Sequence, residues 1–139
     1  MRHLLAGLFV IAVYTGAGCT AAGADAVAPE GTWIIADRVA LQTFDCDGLL
    51  CGKVVWLRNP ALRTAAMCGR TIVWGLKMTE PAQWSGGWFF DPEDGTTYNV
   101  SARIEGADRI VARIYKAIAW FGRTEILTRI RSGGRPGWC

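Results

Sequence analysis

The chain has 139 residues and a formal net charge of +3, and 51% of its residues are hydrophobic. A chain of this length is one domain. The small positive excess lacks the clustered basic face that nucleic-acid-binding proteins carry, which excludes nucleic acid as a partner.

The first 26 residues have the pattern of a secretory signal. A positive start at Arg2 precedes ten uncharged residues, 4–13, and small residues then dominate up to Ala26. This order is typical of a cleaved signal peptide, and the apolar run is shorter than the roughly 20 residues that span a bilayer. We therefore predict export to the periplasm, with a signal at 1–26 and one β-barrel domain at 27–139.

Two cleavage routes are compatible with the signal. Sites of the small-x-small type end at Ala24 and Ala26, and we favour a soluble product that starts near Val27. Cys19 follows Gly16-Ala17-Gly18, which resembles a bacterial lipoprotein signal. The alternative is a product anchored by lipid at Cys19, and only this product is expected to associate with a membrane.

Eight segments after the signal carry strand signals. The clearest is 98–104, in which apolar and polar residues alternate so that one face is buried and the other is in water. In chain order the segments are 33–36, 39–44, 53–57, 71–78, 84–90, 98–104, 109–116 and 123–131. Closely spaced strands separated by turns predict an all-β, antiparallel sandwich or barrel.

Four cysteines remain after the signal, and an even number in an exported chain indicates disulfides with three possible connectivities. Cys46 and Cys51 flank an Asp-Gly turn, which favours a bridge between them. Cys68 then pairs with Cys139. A zinc site is disfavoured because the Cys-x4-Cys spacing is loose and no histidine ligand remains. We expect no metal and no cofactor.

The only histidine, His3, lies in the signal. The exported domain therefore cannot build a Ser-His or Cys-His nucleophile pair. Paired carboxylates are the remaining catalytic route. The acidic groups at 45–47 and 91–94 are interpreted as solvated turn residues. We predict a protein that is not an enzyme.

The chain has seven tryptophans. Aromatic residues either fill small cores or line apolar ligand pockets. We predict that Trp56, Trp74 and Tyr98 face a cavity and bind its ligand.

Several motifs resemble a bacterial family, domain of unknown function 2147. They are GTW at 31–33, CGKVVWL at 51–57 followed by Asn59-Pro60, GWFFDP at 87–92, GTTY at 95–98 and GRT at 122–124. The resemblance implies an exported envelope protein with a lipocalin-like barrel of about eight strands, and no settled activity. Similarity to lipocalins further implies that Trp33 closes one barrel end and that Arg129 packs over it.

Two hypotheses on function follow. The first is a non-enzymatic periplasmic protein that binds a small apolar or amphipathic molecule. The second is a structural or interaction protein of the cell envelope, with a filled barrel, a protein partner and contacts from Arg131, Arg135 and Trp138. An interior cavity of about 300 Å³ or more would favour the first hypothesis.

Overall fold

The computed structural model describes residues 27–131 and Cys139. The predicted signal at 1–26, with Cys19, and two of the predicted contact residues, Arg135 and Trp138, lie outside the described residues. The structure contains eight strands: β1 (Gly31–Ile35), β2 (Val39–Cys46), β3 (Leu49–Leu57), β4 (Thr71–Glu80), β5 (Gln83–Asp91), β6 (Thr96–Glu105), β7 (Arg109–Tyr115) and β8 (Arg123–Ile130). Two short 3₁₀ helices, Pro60–Leu62 and Ala119–Phe121, lie in the β3–β4 and β7–β8 loops.

The eight strands form one closed antiparallel barrel in which each strand pairs with the next and β1 pairs with β8. The prediction of an all-β antiparallel barrel is confirmed. Strand β3 begins at Leu49, four residues before its predicted start. Asp47 and Gly48 both have positive φ, 59° and 80°, as a tight two-residue hairpin turn requires. Leu49 therefore pairs at once with Cys46.

Both predicted disulfides are confirmed. Cys46 and Cys51 join β2 to β3 with a Cα–Cα distance of 6.0 Å, and Cys68 is bonded to Cys139 at 5.4 Å. The backbone N–H of Cys139 also donates to the carbonyl of Val55 at 3.0 Å. The second bridge thus fastens the end of the chain to the β3–β4 loop. Two such bonds suggest an oxidising environment outside the cytoplasm.

One end of the barrel is closed by Trp33, which is fully buried. Its indole N–H donates to the carbonyl of Pro29 at 3.0 Å and to the hydroxyl of Thr43 at 3.1 Å. The guanidinium of Arg129 lies over the indole, 4.1 Å from its centroid. Arg129 also donates to three backbone carbonyls, those of Ala28, Glu30 and Ala107.

The opposite end, called the mouth, carries the β1–β2, β3–β4, β5–β6 and β7–β8 connections. The β3–β4 loop, residues 58–70, lies against this end, and its Leu62 and Met67 side chains pack on the buried core. Arg63 holds the loop down by donating to the carbonyl of Leu57 at 2.6 Å. Residues 27–131 contain no helix long and apolar enough to cross a membrane.

The sequence separation of the disulfides predicts their unequal effects on stability. The Cys68–Cys139 bond closes a loop of 71 residues and the Cys46–Cys51 bond one of 5. Loop-closure entropy gives about 4 kcal/mol for the long loop and about 2 kcal/mol for the short one. We expect C68S/C139S to lower the free energy of unfolding more than C46S/C51S does, as measured by urea denaturation. Equal losses would contradict this.

Arg129→Lys is expected to lower the free energy of unfolding by about 1–3 kcal/mol, because an ammonium cannot reach three carbonyls and cover the indole together. Urea denaturation measures the loss. Arg103→Lys is the matched control, because Arg103 is exposed and bonds only to Glu105 among residues 27–131. Its effect should stay below about 0.5 kcal/mol. Similar losses in the two variants would show that the carbonyl contacts of Arg129 contribute nothing.

Candidate functional site

The barrel interior is nearly filled by side chains. One cavity of about 40 Å³ remains, lined by Ile35, Leu41, Thr43, Leu50, Val73, Leu76, Phe89, Val100, Ala102, Ile110, Ala112, Ile114 and Leu127. Thr43 is the single polar residue of this lining, and its hydroxyl donates to the carbonyl of Pro29 at 2.6 Å. The cavity is far smaller than the roughly 300 Å³ that would favour a ligand inside the barrel, and a filled interior is what the structural or interaction hypothesis expects.

Two of the three predicted cavity residues lie elsewhere, which corrects the prediction. Trp56 packs with Ile34 and Ala40 in a second apolar cluster, separate from the core. The register of β2 and β3 shifts after Ala40, which turns Trp56 away from the interior. Trp74 pairs directly with Trp88 on β5. Directly paired residues share a face of the sheet, and Trp88 is 45% exposed, so Trp74 lies on the outer wall.

The third predicted residue, Tyr98, lies at the mouth. It lines an open groove of about 340 Å³, here called the mouth groove, together with Ile114, Tyr115, Lys116, Phe121, Gly122 and Arg123. Three of these seven residues are aromatic and two are cationic. The groove is therefore larger than the interior cavity and chemically more varied.

The β7–β8 loop, residues 116–122, forms one wall of the groove. Hydrogen bonds to its backbone carbonyls hold it in place. Arg113 on β7 donates to the carbonyl of Ala119 at 2.6 Å and to that of Trp120 at 3.0 Å. At Gly122 the backbone passes so close to β7 that a Cβ would collide with the carbonyl of Ile114. Glycine at this position lets the loop fold back over Tyr115.

A network of ion pairs lies beside the groove. Arg123 contacts Asp91 and Glu125, each at 3.0 Å. Arg38 contacts Glu125 at 3.4 Å and also pairs with Glu93. Burial opposes the charge of Arg123, but hydrogen bonds to Tyr98 and Glu125 and the charge of Asp91 outweigh it, so the pKa of Arg123 is raised. Arg123 is therefore a permanent cation.

Tyr98 joins this network to the groove. Its hydroxyl donates to the Asp94 carboxylate at 2.6 Å, and this bond is the main reason that the pKa of Asp94 is lowered. The guanidinium of Arg123 lies 4.9 Å from the ring centroid and the ammonium of Lys116 lies 5.5 Å from it. Cations over an aromatic face are attracted by its quadrupole, which holds both charges at the groove.

The interpretation of the acidic loop as solvated needs one correction. Asp91 is 5% exposed, and it accepts hydrogen bonds from Arg123 and from the backbone N–H of Glu93 at 2.9 Å. Glu93 is paired with Arg38 and Asp94 is bound by Tyr98. Each carboxylate of this loop thus has a hydrogen-bond or ion-pair donor, which suits a structural role more than proton transfer.

Three groove residues were not predicted from the sequence: Lys116, Phe121 and Arg123. One signal for Arg123 was present, since it lies in the GRT motif at 122–124. Lys116 and Phe121 lie outside the quoted motifs, and only the folded loop brings them to Tyr98.

Comparisons with known proteins agree with this architecture. A solved structure described as "Protein HP1028 from the human pathogen Helicobacter pylori belongs to the lipocalin family" is similar to this chain, with a TM-score of 0.63 and 15% sequence identity. The match covers 76% of this chain and 84% of the other. At this identity the likeness shows a lipocalin-like fold. No curated protein matches the chain.

A family model described as "Uncharacterized protein conserved in bacteria (DUF2147)" matches residues 31–129. These residues run from the start of β1 to the Arg129 that covers Trp33, and they include every residue of the mouth groove. The chain therefore belongs to the DUF2147 family of bacterial proteins.

Proposed function

We propose that the protein is an exported, non-enzymatic binding protein that holds a small amphipathic molecule with an acidic group in the mouth groove. A lipocalin-like barrel is typical of proteins that bind one small ligand. The observation that carries the proposal is the contrast in volume between the mouth groove, about 340 Å³, and the interior cavity, about 40 Å³.

The composition of the groove favours an amphipathic ligand. Tyr98, Tyr115 and Phe121 offer apolar and aromatic surface, as small-molecule sites commonly do. Lys116 supplies a charge that no carboxylate cancels within the described part of the chain, whereas Arg123 is balanced by Asp91 and Glu125. An acidic group on the ligand would pair with Lys116 while its apolar part covers the rings.

Export is part of the same proposal. Residues 1–26 act as a cleaved signal in this proposal, and the domain at 27–139 works in the periplasm. The two disulfides are compatible with that compartment. Cleavage near Ala26 gives a free domain, whereas processing at Cys19 gives one tethered by lipid. Mass spectrometry of the exported protein distinguishes the two products.

A small apolar ligand inside the barrel is a second candidate, favoured by the apolar lining of the interior cavity. Such a ligand would need core side chains to move, because the free volume is below that of a usual ligand.

Lys116→Gln is expected to weaken the binding of anilinonaphthalene sulfonate, an aromatic anion, by about two- to fivefold, as the loss of one exposed ion pair predicts. The neutral probe phenylnaphthylamine should bind both proteins equally. Fluorescence titration measures both affinities. Lys77→Gln is the matched control, because Lys77 is an exposed lysine on β4. Loss of affinity in Lys77→Gln, or none in Lys116→Gln, would contradict the acidic-ligand proposal.

Ala112→Val distinguishes the mouth groove from the interior. Ala112 is buried and lines the interior cavity, so the larger side chain occupies the remaining volume. We expect unchanged affinity for anilinonaphthalene sulfonate, with a change in the free energy of unfolding below about 1.5 kcal/mol because the added methyl groups fill existing space. Titration at a temperature where the variant is folded measures the affinity. Loss of probe binding in the folded variant would move the site into the barrel.

A further inference from the structure

The β7–β8 loop exposes three large apolar side chains at the mouth. Trp120 is 89% exposed, Phe121 is 87% exposed and Ile118 is 52% exposed. We call these three residues the aromatic tip. Adjacent aromatic rings that remain in water are unusual for a folded monomer, and such patches mark interaction sites.

Contacts of the loop backbone keep the aromatic tip exposed. The two hydrogen bonds from Arg113 fix the carbonyls of Ala119 and Trp120. The 3₁₀ helix Ala119–Phe121 is closed by a bond from Gly122 N–H to the Ala119 carbonyl at 3.2 Å. At Gly122 the loop backbone then lies directly against β7, where a larger residue would collide with the carbonyl of Ile114. The fold therefore presents the rings outward on an ordered turn.

We propose that the aromatic tip inserts into the interface of a lipid bilayer with anionic headgroups. Tryptophan favours the boundary between headgroups and acyl chains, where its ring is half apolar and half polar. Contact through the tip needs no lipid at Cys19. Phe121 belongs to both the tip and the mouth groove, whereas Trp120 and Ile118 belong to the tip alone.

The size of the tip favours a lipid surface over a protein partner. Two exposed aromatic rings offer about 400 Å² of contact, taking about 200 Å² for each ring. A stable protein interface takes about 800 Å² from each partner. A tip of two rings falls short of that area, whereas interfacial insertion needs only a few apolar side chains.

The charges around the tip fit anionic headgroups. Lys116 lies in the β7–β8 loop, and the β3–β4 loop at the same barrel end carries Arg63 and Arg70. Two further cations at this end are already paired, Arg58 with Asp37 at 3.4 Å and Arg123 with Asp91 and Glu125. The acidic residues of the β5–β6 turn face Arg38, Arg123 and Tyr98. Basic residues near a bilayer are attracted to anionic lipid, so the cations of the loops would add to insertion of the rings.

The test is sedimentation of the exported, purified protein with lipid vesicles, in a Cys19→Ser background that prevents acylation. We expect binding to vesicles of phosphatidylethanolamine with phosphatidylglycerol, weakened by salt, and weaker binding to phosphatidylcholine alone. Trp120→Ser should lower the partition constant by at least tenfold, because tenfold corresponds to about 55 Å² of apolar area at about 25 cal/mol per Å² and the ring offers more than that. Trp88→Ser is the matched control, because Trp88 is an exposed tryptophan on the barrel wall.

Three results would overturn the proposal. They are absence of sedimentation with phosphatidylglycerol vesicles, an equal loss in Trp88→Ser, and a lipid-free dimer that Trp120→Ser dissociates. Binding of anilinonaphthalene sulfonate by Trp120→Ser is measured in parallel, since Trp120 does not line the mouth groove. Retained probe binding with lost vesicle binding is the expected pair of results. If Trp120→Ser retained vesicle binding and lost probe binding, the proposal that the tip inserts into the bilayer would be overturned.

Discussion

Pairing of β1 with β8 is the contact on which the barrel depends. Only four residue pairs join these strands, from Thr32 with Ile130 to Ile35 with Leu127. Trp33 and Arg129 form one of these pairs, and their ring contact closes the barrel end beside the seam. The buried indole and the three carbonyl bonds of Arg129 therefore tie the first strand to the last where the ladder is short.

Closure of eight strands sets the radius of the barrel, and a barrel of this size leaves an interior that side chains can fill. Here large side chains such as Leu41, Ile72 and Phe89 occupy it. The cost of opening that core is high, because interiors are packed as densely as crystals. Recognition at the rim, where loops meet water, needs no such rearrangement.

The fold could be predicted from the sequence because its rules are local. Period-two alternation marks the strands, and Asp47-Gly48 fixes a hairpin and its disulfide. The faces of Trp56 and Trp74 were mispredicted because irregular register changes which side a residue occupies. Gly75, with a φ of 74°, follows Trp74, and the β2–β3 register shifts beside Trp56. A pattern within one strand does not show its partner's register.

The mouth groove was less predictable for a different reason. Arg123 and Asp91 are 32 residues apart and belong to different hairpins, and Arg38 joins them through Glu125. Only the closed barrel brings these groups to one rim, so no spacing in the sequence marks them. The same closure makes one short loop serve two surfaces. Its Phe121 lines the groove, whereas Trp120 is not among the lining residues, so a surface that binds the tip would lie beside the opening of the groove.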